Sequence, residues 1–184
     1  MTAVLYDDPA APSLAEMTRE GALRPETARA VAGQVAEALE TARRRGVRHR
    51  FLDESRVFVD VDADTVRIIG AGVETAALDD SVVDADALAV NPDVRSIGRI
   101  LFVGLAGRDP EFFGGADVVD PALASPRTVP DDLSAITRTL LTHEGSNPEN
   151  PPYTVRAARS DLAPWQSLPV TLEAFDPDQH CLLY

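Results

Sequence analysis

The strongest constraint on this chain is a change of hydrophobic period at Gly46. Before it, Ala28, Val31, Ala32, Val35, Leu39 and Ala42 recur at three- and four-residue steps, with Glu37, Glu40, Arg43 and Arg44 on the other face. That spacing predicts an amphipathic core helix of about 20 residues, opened by Pro25 and Glu26. After it, Val57-Phe58-Val59 and Val66-Arg67-Ile68-Ile69 are β-branched and aromatic runs separated by a turn rich in aspartate, which predicts a β-hairpin. A later stretch from Pro92-Asp93 to about Ala106 is apolar nearly all round, through Ile97, Ile100, Leu101, Val103, Gly104 and Leu105. Such a helix belongs in the middle of a domain.

Shorter elements complete the pattern. Ser13 is placed to cap a helix over Leu14 to Arg19, closed by Gly21. Pro130-Asp131-Asp132 opens a further helix running through Ile136 to Leu141, and Tyr153 to Leu162 predicts a last one. Residues 1–12 read as a truncated strand and linker, 13–163 as the main body and 164–184 as a proline-spaced acidic tail. The tail's apolar end, Cys181-Leu182-Leu183-Tyr184, is suited to dock on its own lobe or on a partner, with its own lobe the favoured reading. Residues 74–92 are acidic and weakly patterned, as in a surface loop. A chain of 184 residues, 45% hydrophobic, can bury one core, and the expected fold class is mainly α with a small β-hairpin.

Charge removes several functions. The formal net charge is −13, which repels phosphate backbones and anionic lipid, so neither a nucleic-acid partner nor direct membrane insertion is expected. All 17 basic residues are arginine. Without lysine there is no Schiff base, no P-loop cradle and no phosphate-anchoring amine. The single cysteine excludes an internal disulfide, and isolated histidines such as His143 and His180, the latter near Asp178, lack metal-site spacing. No metal is expected. The lone cysteine points to a cytoplasmic chain, and no apolar run reaches the roughly 18 residues needed to span a bilayer, so any membrane link is expected outside these residues.

The order of motifs resembles the C-terminal lobe of the protein kinase superfamily. Tyr6-Asp7-Asp8-Pro9 followed by Ser13-Leu14 is similar to the hinge and first C-lobe helix of bacterial Ser/Thr kinases. His49-Arg50-Phe51-Leu52 lies where that family has His-Arg-Asp-Leu. Asp93-Val94-Arg95-Ser96-Ile97-Gly98-Arg99-Ile100-Leu101 resembles the family's central helix, Asp-Val-x-Ser-Leu-Gly-x-x-Leu. The resemblance runs over roughly residues 4 to 163 and implies a kinase C-lobe, with no counterpart in these residues of the N-lobe.

At the catalytic positions the chain departs from the family. Kinases position a substrate hydroxyl with an Asp and hold their metal ions with an Asn and a second Asp. Here Phe51 stands at the catalytic Asp, Asp53 at the catalytic-loop Lys, Arg56 at the metal-binding Asn, and Gly70 at the Asp of Asp-Phe-Gly, so that only Gly72 of that motif remains. Residues 72–93 are too few for a full activation segment. The resemblance therefore implies a pseudokinase, not an enzyme, with no cofactor and no ATP. His49, Arg50, Gly72 and Asp93 are left as architectural braces around the loop.

The lysine-free, Ala/Arg/Asp-rich composition resembles high-GC actinobacterial proteins, among which a degenerate kinase domain is attached to MviN-type flippase membrane proteins. That resemblance implies the cytosolic part of a membrane protein, recruiting a forkhead-associated regulator through a phosphothreonine to control peptidoglycan synthesis. Thr75, just after the Gly70-Ala71-Gly72 turn, is where a phosphate could pair with arginines such as Arg50, against the reading of an ordinary exposed threonine. The general expectation is a scaffold or docking module for a protein partner. Two alternatives stand beside it: a nucleotide-binding degenerate kinase with residual or non-kinase transferase activity, and a passive folding unit.

Overall fold

In a computed structural model of the chain, the described residues are 3–4, 10–49, 52–60, 65–72, 91–113, 120–142, 153–165, 170–174 and 182–183. Helix α1 (Leu14–Arg19) begins where Ser13 and Glu16 satisfy each other. The Glu16 amide donates to Ser13 Oγ at 3.2 Å, and the Ser13 amide donates to the Glu16 carboxylate at 2.8 Å. This reciprocal cap relieves backbone donors that a helix start leaves unpaired. Ser13→Ala is accordingly expected to cost about 1 kcal/mol, read as a lower urea midpoint at unchanged slope. A wild-type midpoint would remove the cap from the account.

Helix α2 (Pro25–Arg44) has Pro25 at its first turn, where a missing N–H costs nothing, and Arg43 and Arg44 in its last turn, where the helix dipole favours cations. Its apolar face is largely alanine, so neighbouring helices approach closely. Helix α3 (Pro92–Ala106) lies on that face, with Ile97, Ile100, Leu101, Phe102, Val103 and Leu105 buried. The contact is tight at Gly104, where a Cβ would stand 3.0 Å from Ala28 Cβ. Helices α4 (Pro121–Ala124), α5 (Asp131–Thr142) and α6 (Val155–Leu162) complete the helical part. Helix α5 packs on α3 and α6 on α2. Arg29 ties three of them, donating to the Leu162 carbonyl at 3.2 Å and pairing with Asp132.

A hairpin forms from β2 (Val57–Asp60) and β3 (Thr65–Ala71), with Val57 opposite Ile68 and Val59 opposite Val66. All four of these side chains are buried, as alternation across a pleated strand requires. The predicted helices over 14–19, 25–44 and 92–106 and the hairpin are thus found, and the fold is mostly helical with a small antiparallel hairpin.

The C-terminal residues differ from the loop expected of them. Val170–Ala174 forms β4, which lies parallel to β3 and extends the hairpin to three strands. The backbone of Val170-Thr171-Leu172 is suited to a strand by its branched residues, and the unpaired edge of β3 supplies the partner. Leu182–Leu183 forms β5, antiparallel to Ala3–Val4 (β1), which lies in the N-terminal segment and not in residues 13–163; Cys181 and Tyr184 lie outside the described residues. Among the described residues no helix is long and apolar enough to cross a membrane.

Candidate functional site

Of the residues singled out in the sequence, the described ones, His49, Asp53, Arg56, Gly70, Gly72 and Asp93, lie between the end of α2, the hairpin and the start of α3. His49 follows α2 and is 3% exposed. Its Nε2 lies 2.7 Å from the Ile69 carbonyl oxygen, and because a carbonyl can only accept, Nε2 carries the proton. Nδ1 is buried with no hydrogen-bond partner among the described residues. Burial is the main cause holding the imidazole below its ordinary pKa of 6.5, and the Arg56 charge acts in the same direction. The Ile69 carbonyl bond and the Asp93 carboxylate oppose the shift without cancelling it.

The unfolded chain binds a proton that the buried imidazole refuses, so His49 makes stability rise with pH in the window just below 6.5. That contribution is lost as pH falls from 6.5 through the depressed folded value. Carboxylates held low, such as Glu40, act only in a more acidic range. Burial raises the Glu40 carboxyl, and bonds from Arg44 and Arg159 outweigh it. Urea midpoints measured between about pH 7 and about pH 5 should fall in the wild type and fall less in His49→Gln. Parallel profiles would contradict the assignment.

The turn after His49 is built from ion pairs. Asp53 Oδ2 accepts from Arg56 Nη1 at 3.1 Å, and Oδ1 accepts from the Ser55 amide at 3.0 Å. Gly70 sits opposite with φ +87°, a left-handed conformation that glycine adopts without strain. A Cβ there would lie 3.6 Å from both Arg56 Cδ and His49 Nε2. The space into which a side chain at position 70 would project is therefore lined by an arginine stem and an imidazole. Gly72, at φ +81°, donates its amide to the Arg48 carbonyl at 3.2 Å and closes the hairpin onto the segment leading into His49. Asp93, in the first turn of α3, is 1% exposed. Arg50, Phe51 and Thr75 lie outside the described residues.

A second network holds the same turn from below and was not anticipated. Arg99 of α3 donates to Glu54 at 3.2 Å and pairs with Asp109 at 2.6 Å, while the Ala15 amide donates to the Glu54 carbonyl at 3.0 Å. Burial alone would lower the Arg99 pKa, but the charges of Glu54 and Asp109 raise it above its ordinary value. The signal for this anchor was Arg99 between Gly98 and Ile100 in the apolar part of the helix, since a half-buried guanidinium needs carboxylate partners.

As chemistry, the arrangement offers no metal cradle. Among the described residues no group of three or more His, Cys, Asp and Glu side chains could hold a metal ion. Arg56 presents donors only, and Asp53 is occupied by Arg56 and Ser55. Among the described residues, the side chains at positions 56 and 70 supply no cation ligand.

Comparison with solved structures identifies the fold as protein kinase-like. A structure of the Rad53 kinase domain and SCD2 in complex with AMPPNP matches with a TM-score of 0.57 at 18% identity, over 84% of this chain and 66% of that one. Rad53 1-466 in complex with AMP-PNP matches with a TM-score of 0.62 at 18% identity, over 84% of this chain and 44% of the other. A further structure of the Rad53 kinase domain and SCD2 gives 0.58 at 17% identity, over 89% and 71%. This chain thus spans just under two thirds of the first of these proteins and under half of the second. No family model and no curated protein matches the chain. At this identity the likeness is one of fold: that of a kinase-like C-terminal lobe, mainly helical with a small antiparallel hairpin.

Proposed function

We propose that this chain is a catalytically inactive pseudokinase lobe whose work is to bind a protein partner. The observation that carries this reading is the Asp53–Arg56 pair facing Gly70. Phosphoryl transfer depends on metal ions that neutralise the phosphates and on a group that orients the attacking hydroxyl. At the positions resembling the metal ligands stand a guanidinium and a glycine, and neither has a side-chain lone pair to give a cation. His49, Gly72 and Asp93 serve as braces, keeping the loop's shape without its chemistry. Arg50 and Phe51 complete that loop in the sequence, and the resemblance gives them no remaining catalytic role.

The finer reading follows the composition. We take the chain as an actinobacterial signalling module of the MviN-type flippase-associated kind, the cytosolic part of a membrane protein. A forkhead-associated regulator recognises phosphorylated Thr75, and the complex regulates peptidoglycan synthesis. The test is purification of the native protein from its source, with and without phosphatase treatment. Co-purification of a forkhead-associated protein, lost on dephosphorylation and in Thr75→Ala, is the expected result. A phosphatase-insensitive partner would discard the phosphothreonine, and the absence of any stoichiometric partner would contradict the docking role.

A further inference from the structure

The end of α2 and the turn beyond it carry Arg43, Arg44, Arg45 and Arg48, four of 17 basic residues gathered in six positions of a chain whose net charge is −13. All four are exposed. Arg44 is engaged by Glu40. Arg43, Arg45 and Arg48 have no carboxylate within salt-bridge distance among the described residues. The helix dipole accounts for cations in the last turn, and Arg45 and Arg48 lie past it.

The backbone holding them is fixed. The amides of Arg45 and Val47 both donate to the Ala42 carbonyl, at 2.9 and 3.0 Å, and the Gly46 amide donates to the Arg43 carbonyl at 3.0 Å. The Arg48 carbonyl is held by Gly72 at 3.2 Å. Like charges crowded on a rigid turn repel one another, and a bound anion relieves that repulsion. Guanidinium forks match carboxylates in paired hydrogen bonds.

We propose that this turn is a docking face for an extended acidic segment of a partner protein. The inference rests on the docking-module reading and names the chemistry of the partner. An anionic bilayer is a poorer fit. The chain's net charge is −13, and a broad anionic surface would meet more of that charge than a narrow segment does. A narrow segment can lie along the turn alone.

The probe is a fluorescent oligoglutamate peptide, with its oligoglutamine counterpart as control, titrated by anisotropy into the full chain. Oligoglutamate should bind, more weakly as salt rises, and oligoglutamine should not. The triple variant R43S/R45S/R48S should bind about tenfold less tightly. R95S/R127S/R138S, which removes the same charge from other exposed positions, should bind like the wild type with an unchanged melting temperature. Absence of oligoglutamate binding, or equal weakening in both variants, would overturn the proposal. So would binding to phosphatidylserine vesicles, lost in the first variant, without peptide binding. Peptide binding that emerges only when Glu74, Asp79, Asp80, Asp84 and Asp86 are changed to amides would assign the face to the chain's own acidic stretch instead. The wild-type titration requires neither phosphorylation nor a native partner, so its failure is distinct from failure of the docking-module reading.

Discussion

Replacing Phe102 by alanine is expected to lower the stability of the chain by about 3–5 kcal/mol, the largest effect of any single side chain considered. Phe102 is fully buried in α3, the helix that α2 and α5 both pack on. Its ring meets Phe113 edge-on, with centroids 6.1 Å apart, and Phe113 in turn meets Phe112 at 5.4 Å. Arg108 lies over the Phe112 ring, 4.4 Å from its centroid. The truncation therefore opens a cavity in the core and removes the inner support of an aromatic series that leads to the surface. Phe112→Ala is the comparison. That ring is 64% exposed, and its loss should change stability by less than about 0.5 kcal/mol. Urea unfolding distinguishes the two, and similar midpoints would show that α3 is not the axis of the core.

The second large effect is expected at Gly98. A Cβ at this position would lie 2.7 Å from Leu140 Cβ and 3.2 Å from the Leu140 carbonyl carbon. The obstacle is the body of helix α5, not the end of a flexible side chain, so α3 and α5 must separate. Overpacking of this kind costs about 1–3 kcal/mol. Alanine recovers up to about 1 kcal/mol through its helix propensity, which places Gly98→Ala in the lower part of that range. Gly98→Val lacks much of that compensation and adds bulk, so it should exceed the alanine variant. A stabilised Gly98→Ala protein would refute the close approach.

Much of this architecture is legible in the sequence because it depends on local period and punctuation. Pro25 and Gly46 bracket α2, Pro92 and Gly107 bracket α3, and Ser13 with Glu16 marks α1. Strand β4 is not legible in that way. Its five residues follow Pro169, and its pairing with β3 is a choice made about 100 residues away in sequence, governed by which sheet edge is free. The site divides along the same line. The residues at 49, 53, 56, 70, 72 and 93 are picked out by motif order, but the pairing of Asp53 with Arg56 is visible only in the folded turn. The Arg99 anchor needs Glu54 and Asp109 from separate segments, and only the folded chain brings them together.

The central claim, that this kinase-like lobe binds without phosphoryl transfer, is tested most directly by thermal melting of the native protein with ATP and magnesium. A ligand that binds only the folded state must raise the melting temperature. With Arg56 and Gly70 at the positions resembling the metal ligands, about 1 mM ATP with magnesium should leave the melting temperature unchanged. A magnesium-dependent rise, accompanied by transfer of phosphoryl or adenylyl groups from labelled ATP, would contradict the account and restore the reading of an active transferase.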